Sequence, residues 1–149
     1  MTASDLLALA GRDLGVTGWL EVTSSMVRRF AELTGDHQWI HLDADRAAAG
    51  PFGRPVAHGL LTLSLVGGLL PQLFVPPPGH VVVNEGLAQV RFVTPVPVGS
   101  RVRLGAVIRS VDQLGPGARL HLALRFELLG QRVPACLTLL RARCVPPAP

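Results

Sequence analysis

The sequence predicts an α+β fold in which one buried helix packs against a long antiparallel sheet. Three observations carry that expectation. The window "GLLTLSLVGGLLPQLF" (59–74) is 16 residues of mostly apolar character, with Gly, Ser, Thr and Pro among them. It falls short of the roughly 20 residues a bilayer span needs and reads as a core helix from His58 to about Leu70, buried all round. Beyond residue 80 the apolar period is two. In "RLHLALRFEL" (119–128), Leu120, Leu122, Leu124, Phe126 and Leu128 alternate with Arg119, His121, Ala123, Arg125 and Glu127, as in a half-buried antiparallel strand. Before residue 50 the apolar spacing is helical.

In chain order, "GWLEV" (18–22) reads as a brief strand. Thr23, Ser24 and Ser25 offer N-caps for "MVRRFAELTG", where Met26, Val27, Phe30 and Leu33 recur at helical spacing and Gly35 ends the helix. The stretch after Gly35 is expected to be irregular. Asp43 caps a short Ala-rich helix closed by Gly50, and "PFGRP" is a loop. "VPPPGH" (75–80) is a second loop and "VPPAP" a frayed end. "LAQVRFVTPV", "SRVRLGAVIRSV" and "VPACLTLLRARCV" join 119–128 as strands, with turns at "LGPG" and "LLGQR".

Composition narrows the function. At 149 residues, 48% hydrophobic and 16% charged, the chain fits one domain, residues 1–149, and is not a disordered segment. The first apolar stretch is short and broken by charge, unlike a secretory signal. The two cysteines, Cys136 and Cys144, read as buried free thiols of a reducing cytoplasm. A cytoplasmic protein without a membrane partner is expected. All positive charge is arginine: four Arg face seven Asp/Glu in residues 1–50, and ten face three in residues 51–149. That basic second half suits a phosphate-bearing ligand. The seven aromatics are scattered and none is Tyr, so no stacking platform for nucleic acid is expected.

The chemistry concentrates in "GDHQWIH" (35–41). His37 and His41 are four apart, close to the zinc signature H-E-x-x-H, but Gln38 stands where the general base would be. No metal is expected. Asp36 and His41, five apart, would diverge on a helix but can converge on an irregular loop as an acid/base pair about one water molecule. Spacing alone favours the plainer reading, a turn Asp and a capping or core His.

The wider pattern decides. "FAELTGDHQWIHLDADRA", followed seventeen residues after His41 by "HGLLTLSL", resembles the MaoC-like hydratase family, the (R)-specific enoyl-CoA hydratases. Phe30, Gly35, Asp36, His41 and Ala47 occupy the positions of that family's motif. With "GLAQVRFVTPVPVGSRV", the chain is most similar to the nodulation-protein-N-like branch, over roughly residues 15 to 145. Two places depart from the pattern: Gln38-Trp39 replaces Asn-Pro, and Glu85 replaces an aromatic after Asn84.

The resemblance implies a hotdog fold, an antiparallel sheet wrapped around a long central helix, and a homodimer or dimer of dimers. It implies reversible (R)-specific hydration of trans-2-enoyl-CoA, with Asp36 and His41 holding and activating water. The N–H of Gly59 would meet the thioester oxygen, and coenzyme A enters as part of the substrate, with no cofactor. His58 reads as a helix cap or a substrate contact, and Ser64 as a packing residue or a family serine near substrate. Arg91 reads as a solvated strand residue or a CoA phosphate contact. The rivals are a hotdog thioesterase, which commonly carries a carboxylate on the central helix where this one has none, and a non-catalytic acyl-CoA-binding module.

Overall fold

Alternation along the second half of the chain becomes four long antiparallel strands in the computed structural model, which describes residues 3–147. They are β3 (Val81–Phe92), β4 (Arg101–Leu114), β5 (Gly117–Leu128) and β6 (Cys136–Val145), numbered after two short strands, β1 (Asp13–Val16) and β2 (Leu20–Glu21). The sheet order is β1-β4-β5-β6-β3, with β2 also on β4. The β4–β5 ladder runs from Val102↔Leu128 to Leu114↔Gly117. Period two therefore sends Val102, Leu104, Ala106 and Ile108 to the same face as the even-numbered residues 120–128 of β5, all of them buried. Each of the Val, Leu, Ile and Phe side chains among them contributes about 1.5–3 kcal/mol by leaving water.

That inner face closes on the helical half. After α1 (Ala3–Leu7) come α2 (Ser24–Thr34), α3 (Trp39–Leu42), α4 (Ala44–Ala48), α5 (Gly59–Ser64) and α6 (Val66–Leu69), then one 3-10 turn, Leu70–Gln72. Leu61, Leu63, Val66 and Leu69 share one apolar cluster with the inner residues of β4, β5 and β6. Of the three N-cap candidates of α2 the first is the one used, and α4 ends at Ala49, one residue before Gly50. Thr23 accepts from the Met26 N–H at 3.2 Å, Gly35 ends α2 at φ 77°, and Asp43 accepts from the Arg46 N–H at 3.0 Å.

Four features differ from the sequence reading. The core helix is not continuous: it breaks at Leu65, because Gly67 and Gly68 are weak helix formers and Pro71 tightens the last turn. It is also not buried all round, since Leu60 is 61% exposed and Ser64, Gly67 and Gly68 face outward. β3 begins at Val81, six residues before "LAQVRF", because register shifts at 84/86 and 88/91 and the left-handed Gln89 (φ 52°) scramble its alternation. Finally, residues 39–42 form a helical turn, α3, where an irregular stretch was expected. Of the frayed end, residues 148 and 149 lie outside the described residues.

Candidate active site

Asp36 reaches its place because α2 stops. Gly35 reverses the chain in a left-handed conformation that a Cβ would strain, and Asp36 follows half-buried. Its N–H donates to Thr34 Oγ1, and its Oδ1 accepts from the Gln38 N–H, both at 3.4 Å. His41 comes from the α3 turn, five residues on. The ring Nδ1 lies 2.6 Å from the Val56 carbonyl oxygen. A carbonyl only accepts, so Nδ1 carries the hydrogen and the neutral ring keeps its lone pair on Nε2.

The third group is His58, immediately before α5 and only 3% exposed. Its Nε2 lies 3.0 Å from the main-chain oxygen of Asp36, and its ring stacks on His41 with centroids 3.8 Å apart and planes 28° apart. Phe30 of α2 flanks it at 5.0 Å. A carboxylate oxygen of Asp36 and ring nitrogens of His41 and His58 all lie within 4.8 Å of one another. That spacing would admit a metal ion. The stacked rings suit one poorly, because imidazole lone pairs lie in the ring plane and two planes 28° apart at 3.8 Å do not readily meet on one ion.

Burial sets the charge state of His41. Desolvation lowers its pKa below the ordinary imidazole value, and nearby His58 adds to that. The hydrogen bond to Val56 and the proximity of Asp36 pull the other way without prevailing. His41 is therefore a neutral imidazole near pH 7 with Nε2 free to accept a proton.

Beside the pair is a cleft of about 310 Å³ lined by Ile40, Phe52, Val56, Gly59, Thr62 and Phe92, among others. Gly59 opens α5, so its N–H and that of Leu60 have no helical partner. A Cβ at Gly59 would sit 3.0 Å from the Phe92 ring, so the aromatic wall packs directly on the helix start. Chemically, the arrangement offers a carboxylate beside an unprotonated imidazole, with the start of α5 and a largely apolar cleft lined by their chain neighbours Ile40, Val56 and Gly59.

Of the residues singled out from the sequence, Asp36, His41 and His58 come together, and Gly59 lines the neighbouring cleft, which those three do not line. Ser64 does not join them: it is exposed, and its hydroxyl turns back to donate to the Leu60 carbonyl at 2.7 Å. Arg91 is exposed on β3, next to Phe92. His37 is exposed outside the cluster, and Glu85 is taken up by Arg119. Sequence reasoning missed Phe52, Phe92 and Thr62, whose buried Oγ1 has no hydrogen-bond partner. It also missed the Val56 carbonyl. Main-chain atoms carry no sequence signal, although an aromatic two residues past "LAQV" could have pointed to Phe92.

Comparison with known proteins identifies the family and the fold. A family model described as a MaoC like domain matches residues 6–116. The chain is 44% identical over 137 residues to 3-hydroxyacyl-thioester dehydratase Z of Mycobacterium tuberculosis, covering 91% of each protein. It is 41% identical over 107 residues to nodulation protein N of Rhizobium meliloti, covering 68% of this chain and 65% of that one. Among solved structures, the (R)-hydratase from A. caviae superposes with a TM-score of 0.73 at 28% identity, over 89% of this chain and 94% of the other. The fold is the hotdog fold these relatives share, and the chain belongs to the MaoC-like family of dehydratases and hydratases, which are hydro-lyases.

Proposed function

We propose that this protein adds water reversibly across the double bond of a trans-2-enoyl-CoA thioester to give the (R)-3-hydroxyacyl thioester. One observation carries the reading: His41 is held by Val56 in the tautomer that leaves Nε2 basic, close to the Asp36 carboxylate and beside the start of α5. A single water held between Asp36 and His41 loses a proton to the pair as its oxygen bonds to C3. The π electrons then form the C2–H bond with a proton returned by the same pair, so the elements of water add from one face. The negative charge that develops on the thioester oxygen is met by the N–H groups at the α5 terminus. Nothing in this sequence calls for a metal or an organic cofactor, and coenzyme A leaves with the product.

The names of the relatives, a 3-hydroxyacyl-thioester dehydratase and an (R)-specific enoyl-CoA hydratase, support this class of substrate. The test is an assay with crotonyl-CoA that follows enoyl absorbance and free thiol together. Loss of absorbance without thiol release, unaffected by EDTA, is the expected result. Thiol release would make the protein a thioesterase, and CoA-ester binding without turnover would make it a binding module.

A further inference from the structure

His58 touches Asp36, His41 and Phe30, and it does not line the cleft beside them. Its Nε2–H donates to the Asp36 main-chain oxygen, one face stacks on His41, Phe30 packs nearby, and Nδ1 is buried without a partner. We propose that His58 is a positioning residue whose Nε2–H fixes the main chain of Asp36 and whose ring backs His41, so that it sets the acid/base pair without touching substrate. The inference rests on the hydratase reading for its effect on turnover, but its geometric content does not.

The hydrogen bonds around Asp36 show why such a device matters. The two local ones, to Thr34 and Gln38, are both 3.4 Å, at the weak end of the useful range. The bond from His58, 22 residues away in sequence, is 3.0 Å, the shortest recorded to Asp36 among the described residues and the one that comes from a separate part of the fold. Without it the hydrogen bonds of Asp36 reach no further along the chain than Thr34 and Gln38 among the described residues. The same side chain immediately precedes Gly59, so one ring joins the Asp36 loop, the His41 base and the helix terminus.

Stacking has an electrostatic consequence as well. A proton on either imidazole opposes a proton on the other across rings 3.8 Å apart, so the presence of the His58 ring adds to the lowering of the His41 pKa. The titratable groups that face His41 are Asp36 from the loop and His58 from the helix start, acting in opposite directions. Replacing His58 by an uncharged ring removes one of them while keeping the burial.

Two variants separate the possibilities. His58→Phe keeps a stacked ring and loses the donor; His58→Gln keeps an N–H donor and loses the ring. With crotonyl-CoA, His58→Phe is expected to lower kcat about 10²-fold, the cost of a misplaced catalytic group, with KM within about twofold of wild type. His58→Gln should recover part of kcat. The acid limb of the pH profile should move to higher pH in His58→Phe, and the His41 ring titration, followed by NMR in the resting protein, should move the same way. A raised KM with kcat unchanged would make His58 a substrate contact and overturn the proposal. Equal losses in both variants, with an unmoved His41 titration, would reduce His58 to a packing residue. If His58→Phe does not fold, an unmoved His41 titration in His58→Gln decides against the proposal in the same way. A wild-type protein that hydrates no enoyl thioester, with the His41 titration still shifted in His58→Phe, would sink the hydratase reading and leave the positioning role standing.

Discussion

Two carbonyl oxygens assign the protons at this site. Val56 takes the Nδ1–H of His41 and Asp36 takes the Nε2–H of His58, so Nε2 is the basic nitrogen of His41, whose ring lies close to the Asp36 carboxylate. A positioned acid or base contributes about 10² to 10⁴ in rate, and residues that act as one unit are not additive. Asp36→Asn and His41→Gln should each lower kcat for crotonyl-CoA by that order. The double variant should be little worse than either, and CoA-ester affinity should be kept in all three. His37→Gln, at an exposed position outside the cluster, should retain most of the activity. The pH dependence follows from burial. Because desolvation lowers the His41 pKa, turnover should persist as pH falls through about 6.5, the ordinary imidazole value, and drop only below it. The sign for stability is the same: the unfolded chain binds that proton more readily, so folding stability also declines as pH falls below about 6.5. Steady-state kinetics and denaturant melts across pH 5 to 8 check both.

The elements show what was legible in advance and what was not. Helix α2 could be read at its end, because Gly35 suits the left-handed stop, and to within three residues at its start, where Thr23, Ser24 and Ser25 are all capping types; the irregular stretch that bears Asp36 begins where Gly35 stops the helix. β5 was legible because its alternation is unbroken, whereas β3 was read six residues short because its register shifts destroy the period that identifies a strand. α3 escaped notice since four residues are too few to show a helical period. The pairing of Asp36 with His41 was visible as a motif. The tautomer of His41 was not, as it depends on a carbonyl fifteen residues away. The start of α5 has its own test. A Cβ in Gly59→Ala would press on Phe92 at 3.0 Å, and overpacking of this kind costs about 1–3 kcal/mol. The variant should melt lower and lose kcat more than CoA-ester affinity, as thermal denaturation and single-turnover kinetics would show. A fully active, equally stable variant would remove Gly59 from the site.

At the scale of the whole molecule, one chain leaves apolar surface uncovered. β3 ends the sheet, and along it Val81, Val83, Leu87, Val90 and Phe92 are exposed, while Leu60 is open on the helix. A long apolar edge strand invites pairing with another chain, and closed two-fold pairing is the commonest way to satisfy it. The protein should therefore run at a multiple of two chains in light scattering, and a stable active monomer would contradict that. Among the described residues no helix is long and apolar enough to cross a membrane, so this surface does not belong to a spanning helix. The measurement that bears most directly on the central claim is the configuration of the product formed from crotonyl-CoA, resolved by chiral chromatography after hydrolysis of the thioester. A water held between Asp36 and His41 should yield the (R)-3-hydroxybutyryl thioester in wild type and almost none in the double variant. An (S) product, or undiminished product from the double variant, would show that this pair does not deliver the water.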